Sequence, residues 1–136
     1  MSRSANREEQ PLMMDIEEAA LLAARAASDK KATDIAILDL RQIASFTEYF
    51  VICSGANNRQ VQAISNEVED RLRKAGKRLL HIEGYSSAEW ILLDYGDFIV
   101  HVFSSSSRQF YDLERLWRDA ARVNVPEEGR AEEPQD

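Results

Sequence analysis

Two strongly apolar runs, Trp90-Ile91-Leu92-Leu93-Asp94 and Phe98-Ile99-Val100-His101-Val102-Phe103, stand only three residues apart. The connection Asp94-Tyr95-Gly96-Asp97 is too short for anything but a tight reversal, so the two runs read as a β-hairpin. They are the most apolar strands of the chain, and the rest of the fold must be arranged around them.

Upstream, Asp34 to Leu40 reads as a strand by its Ile and Leu content, and about eight polar or mixed residues lead to a second strand, Tyr49 to Cys53. That connection leaves no room for a crossover helix, so an antiparallel pairing is expected. Before them, Asp15 with Glu18 three residues on forms a capping box. Ile16, Ala20, Ala23 and Ala27 then recur at helical spacing, a thin stripe that packs close to its neighbour. After Ser54-Gly55-Ala56-Asn57 a second helix begins, with Asn57 as cap and Gln60 at the third position. Val61, Ile64, Val68 and Leu72 make its apolar stripe, and Gly76 is a good terminator. The chain continues into Arg78 to Glu83 as a strand, and this strand–helix–strand unit is expected to be parallel and right-handed. Past the hairpin, Ser104 to Ser107 supplies a helix cap, with Ser106 and Gln109 at capping-box spacing. Phe110, Leu113, Trp117 and Ala121 line one face of the last helix. Glu114 and Arg118 form an i,i+4 pair on the other. The expected fold is a single α/β domain with a mixed five-stranded sheet flanked by helices.

The chain has 136 residues, of which 44% are hydrophobic, which suits one ordinary globular domain. No apolar run is long enough to cross a bilayer, and the start Met1-Ser2-Arg3-Ser4 lacks the apolar segment of an export signal. A membrane role is therefore not expected. Cys53 is the single cysteine; with no partner for an internal disulfide, it fits a reducing cytoplasm and reads as a buried strand residue. The net charge of −7 is unevenly placed. The tails, 1–12 and 124–136, hold seven acidic and three basic residues and are punctuated by Pro11, Pro126 and Pro134, as disordered ends are. The folded domain is expected to span 13–123, with Met13 and Met14 as alternative translation starts. Within it, Leu79 to Ser107 contains no Lys or Arg but does contain Glu83, Glu89, Asp94 and Asp97. Such a stretch cannot hold phosphate, so direct nucleic-acid binding is not expected. It suits a basic protein partner.

Chemistry-bearing residues are few. The loop Ser54 to Arg59 has one glycine and lacks the patterns of a nucleotide cradle, so a helix cap is the simpler reading. Asp94 and Asp97 bracket a turn, where Asp is routine, and no third ligand or base stands at a sensible spacing. His81 and His101 lie on different strands, far from any zinc pattern. No metal, cofactor or catalytic set is expected. What remains is an aromatic cluster, Trp90 and Tyr95, beside Glu83, Glu89, Asp94 and Asp97. An aromatic anchor ringed by acids is how a site for a basic protein is built. The candidate partner-binding residues are Trp90, Asp94, Tyr95, Asp97, Glu83 and His101.

Several of these blocks together resemble a known family. Glu83-Gly84, then Ala88 to Asp97, then Val100-His101-Val102-Phe103, look like the signature of the ribosomal silencing factor family, also called Iojap-related. Lys31 to Ile35, Thr47 to Gly55 and Arg108 to Trp117 match in the same order, so the resemblance spans about residues 14–122. Two departures are Glu48, where the family usually has Asp, and Asn57-Asn58, which replaces a commoner Ser/Thr-Ser. The resemblance implies a nucleotidyltransferase-like fold and binding to large-subunit ribosomal protein fourteen on the intersubunit face. It further implies a block on subunit joining, which represses translation under nutrient limitation. The competing expectation is a divergent nucleotidyltransferase-like enzyme that binds nucleotides. Against it, the chain after Gly55 offers Glu67, Glu69 and Asp70 on a helix and not on a strand. The sheet edge and the apolar helix faces leave room for a homodimer.

Overall fold

The first helix starts where the sequence places it. Asp15 Oδ1 accepts from the Glu18 amide at 2.8 Å, and the Glu18 carboxylate accepts in return from the Asp15 amide at 3.2 Å. Helix α1 then runs Ile16–Asp29, with Ala19, Ala20, Ala23, Ala24, Ala26 and Ala27 fully buried. Small side chains let its backbone lie close to the sheet and to a second helix. In this computed structural model the described residues are 14–126 apart from 112 and 117. The side chains of 109–111, 114 and 116 also lie outside the description. The expectations for residues 1–12, for most of the C-terminal tail and for Phe110, Trp117 and Glu114 therefore fall outside the described residues.

Strand β1 (Thr33–Asp39) pairs antiparallel with β2 (Tyr49–Gly55), as the short connection requires. Helix α2 (Asn58–Lys74) follows, capped by Asn57, whose side chain accepts from the Gln60 amide at 2.8 Å. Its end is a Schellman motif: the Lys77 amide donates to the Leu72 carbonyl and the Gly76 amide to that of Arg73, with Gly76 at φ +90°. Strands β3 (His81–Glu83), β4 (Trp90–Asp94) and β5 (Phe98–Ser104) come next, then the short helices α3 (Ser105–Tyr111) and α4 (Leu113–Leu116). Ser104 Oγ, and not Ser106, accepts from the Ser107 amide at the start of α3.

The sheet has six strands, not five, in the order β3-β4-β5-β2-β1-β6. The additional strand, β6 (Ala121–Val123), pairs antiparallel with β1. Ala121, expected on the last helix, belongs to it, because the chain turns at Arg118–Ala120 and comes back along the sheet. Three residues are too few to show an alternation in sequence. The parallel neighbour of β2 is β5, not β3. Strand β3 runs in the same sense as β2 but is separated from it by two strands, β4 and β5, at the exposed edge of the sheet.

Helices α1 and α2 cover one face of the sheet, where Ile37, Tyr49, Val51, Cys53, Ile91, Leu93, Phe98, Val100 and Val102 form the main core. The opposite face carries a smaller cluster, Leu38, Leu40, Phe50, Ile52 and Phe103, flanked by Trp90, Ile99, Leu113 and Ala120. So the α3–α4 segment lies on the face that the two longer helices leave.

Candidate functional site

Strand register decides which candidate residues meet. Trp90, Leu92 and Asp94 alternate onto one face of β4. Glu83 is the partner of Leu92 on β3, and His101 its partner on β5. Trp90, Asp94, Glu83 and His101 therefore share the face opposite α1 and α2. Tyr95 does not join them. It turns to the helix side, packs in the main core and stacks on Phe98, with ring centroids 4.9 Å apart.

Each of the six residues then has a definite environment. Trp90 is half-buried, stacks on Phe103 at 5.1 Å, and donates its indole N–H to His101 Nδ1 at 3.0 Å. His101 is 3% exposed, and burial holds its pKa down at about 3, so the ring is neutral. Tyr95 is 8% exposed, its hydroxyl has no hydrogen-bond partner among the described residues, and burial pushes its pKa up. Tyr95 and His101 therefore present little surface to a partner. Glu83 is exposed on the β3 edge and accepts a 2.7 Å contact from His81 Nε2. Asp94 is half-buried, and its Oδ1 accepts from the Gly96 amide at 2.8 Å, ordinary turn chemistry. Asp97 is exposed at the turn and forms no ion pair among the described residues.

The surface at this end of the sheet is wider than the hairpin. The loop between β1 and β2 folds against the turn: the Glu48 amide donates to the Asp97 carbonyl at 2.9 Å, and Thr47 Oγ1 donates to the Gly96 carbonyl at 3.0 Å. Phe46, 58% exposed, and Ile43 project from that loop. A shallow cleft lies between loop and turn, lined by residues that include Arg41, Phe46, Thr47, Glu48, Gly96 and Asp97. Phe46 is not among the residues that the sequence singles out, since nothing in its polar connection shows which side chains the fold exposes. Among the described residues, no group of three or more His, Cys, Asp or Glu side chains is arranged to hold a metal. No described helix is long and apolar enough to cross a membrane.

Residues 13–136 match the family model described as ribosomal silencing factor during starvation. The chain belongs to the ribosomal silencing factor family. Ribosomal silencing factor RsfS of Bacillus subtilis is 44% identical over 104 residues, which cover 76% of this chain and 88% of the relative. The chloroplastic protein Iojap of Zea mays is 36% identical over 103 residues, covering 76% of this chain and 45% of that protein. A crystal structure of a Chromobacterium violaceum protein superposes with a TM-score of 0.75 at 36% identity, covering 90% of this chain and 100% of that one. Membership makes this silencing factor a ribosome-associated protein of translation regulation, and the names of its relatives describe a regulatory part, not a catalytic one.

Proposed function

We propose that this silencing factor binds the large ribosomal subunit through a basic ribosomal protein, large-subunit protein fourteen, at the face that meets the small subunit. Occupying that face blocks subunit joining and lowers translation under nutrient limitation. The observation that carries this reading is the turn of the β4–β5 hairpin. It presents Asp97 to solvent in a stretch, Leu79–Ser107, without a single Lys or Arg. Trp90, Asp94, Glu83 and the turn are its contact region, and Tyr95 and His101 hold that region in shape from beneath. The protein works in the cytoplasm and acts by occupancy, without nucleic-acid contacts of its own.

Kinship of the sheet with nucleotidyltransferases belongs to the same proposal as a matter of fold alone. The carboxylates that follow Gly55 are engaged elsewhere: Glu67 with Arg71, Glu69 with Arg73, and Asp70 with Arg73 and Lys74. The open β3 edge is available to a second copy of the chain, and a dimer there would compete with docking at the adjacent hairpin. Sucrose-gradient sedimentation with purified subunits tests the main reading. The protein should travel with the large subunit and lower the yield of joined ribosomes. Co-sedimentation with the small subunit alone would overturn it.

A further inference from the structure

The hydrogen bonds from Glu48 and Thr47 to the hairpin turn make two loops into one surface. The β1–β2 loop is itself closed: the Leu40 amide donates to the Glu48 carbonyl at 2.8 Å, and the Ile43 and Ala44 amides donate to the Leu40 carbonyl. A loop so braced holds its exposed side chains at low cost in conformational entropy. One of those side chains is Phe46, whose ring also meets Phe50 edge-on at 6.1 Å.

The charges around the cleft are not balanced. Arg41 lines it, but its guanidinium is committed to Asp39, with Nε on Oδ1 at 2.9 Å and a terminal nitrogen on Oδ2 at 2.7 Å. It also lies over the Tyr49 ring, 5.3 Å from the centroid. Glu48 and Asp97 have no ion pair among the described residues. Among the described residues the cleft therefore combines an aromatic wall with two carboxylates that no cation pairs. This is the chemistry that receives a lysine or arginine side chain, its stem or cationic head against the ring and its charge near the acids.

We propose that the cleft between Phe46 and the Gly96–Asp97 turn is a receptor for a basic side chain of a protein partner, with Phe46 and not Trp90 as the apolar anchor. The proposal rests on the docking reading above for its biological partner, but the cleft's chemistry stands apart from it. Trp90 is the poorer anchor because it is half-buried, stacked and hydrogen-bonded within the protein. Phe46 is more than half exposed on a braced loop.

Two measurements on the full chain separate the claims. The first is amide NMR during titration with a capped hexa-arginine peptide. The shifts should centre on Phe46, Thr47, Gly96 and Asp97 and should be lost in Glu48→Gln/Asp97→Asn. Shifts that leave these amides still and centre elsewhere overturn the cleft. The second is large-subunit binding by Phe46→Ala, which should weaken by about tenfold or more, as loss of an aromatic anchor does. Phe46→Trp should restore it. A Phe46→Ala protein that binds like a parent which itself binds the subunit also overturns the cleft. A parent that ignores the subunit yet shows the peptide shifts sinks the ribosomal reading and leaves the cleft standing. Should Phe46→Ala unfold, Glu48→Lys asks the same question of the rim, and unchanged subunit binding by it counts against the proposal.

Discussion

The indole N–H of Trp90 donates to Nδ1 of His101 across adjacent strands at 3.0 Å. Because an indole nitrogen only donates, Nδ1 must be unprotonated, and the proton of the neutral ring sits on Nε2. That Nε2 is buried and meets no hydrogen-bond partner among the described residues. The bond to Trp90 is therefore the one conventional hydrogen bond of this imidazole among the described residues, and it locks the Trp90 ring against Phe103. Replacing Trp90 by Phe keeps an aromatic ring but orphans Nδ1, and a buried unpaired acceptor costs about 1–3 kcal/mol. Denaturant unfolding of Trp90→Phe should show a loss in that range. Stability equal to the parent's would mean that the pair contributes nothing.

Burial of His101 also ties stability to pH. Its folded pKa of about 3 lies below the usual 6.5. Between those values the unfolded chain binds a proton that the folded protein refuses. Stability should therefore be full above pH 6.5 and fall as the pH drops towards 3, by about 1.4 kcal/mol per pH unit from this residue. Carboxylates add their own acid lability further down, so the informative window is pH 5 to 6.5. Comparing the parent with His101→Gln across it should show a shallower slope in the variant. Equal slopes would remove His101 from the account.

What the sequence made legible was local. The Asp15–Glu18 box, the Asn57 cap, the Gly76 terminator and the tight hairpin each depend on residues within a few positions of one another, and each stands in the structure. The pairing of β2 with β5 does not, since more than forty residues separate Val51 from its partner Val100. Nothing in either strand names the other, and a helix plus two strands intervene. The site divides the same way. Alternation along β4 put Trp90 and Asp94 on one face, but it stops at the turn, so the inward swing of Tyr95 had no local signal. Phe46 escaped because its exposure depends on how the loop is braced against Gly96 and Asp97, a tertiary contact.

Cys53 offers a probe of how tightly the core holds. It is fully buried on β2, and burial pushes its thiol pKa up to about 12. At neutral pH the thiolate that aromatic disulfide reagents require is nearly absent and unreachable. The native protein should not react within minutes, and the denatured chain should release one equivalent at once. Prompt reaction of the native protein would show that the strand opens far more readily than its packing indicates.

Gly84 is the position where the backbone itself constrains the candidate site. It closes β3 with φ +83°, and a Cβ added there would stand 2.1 Å from the Trp90 carbonyl oxygen. The contact is with backbone, so no side-chain rotation relieves it. The strand that carries Trp90 would have to move, or β3 would have to detach. The left-handed conformation adds a further penalty of order 1 kcal/mol for any residue with a Cβ. Gly84→Ala should therefore cost more than the about 1 kcal/mol typical of a point substitution. It should also disturb the Trp90–His101 bond, which tryptophan fluorescence and the His101 ring signals in NMR would report. Gly84→Ala with parental stability and unchanged Trp90 emission would show that β3 and β4 can separate at this end without consequence, and that the approach of the two backbones does not hold Trp90 in place.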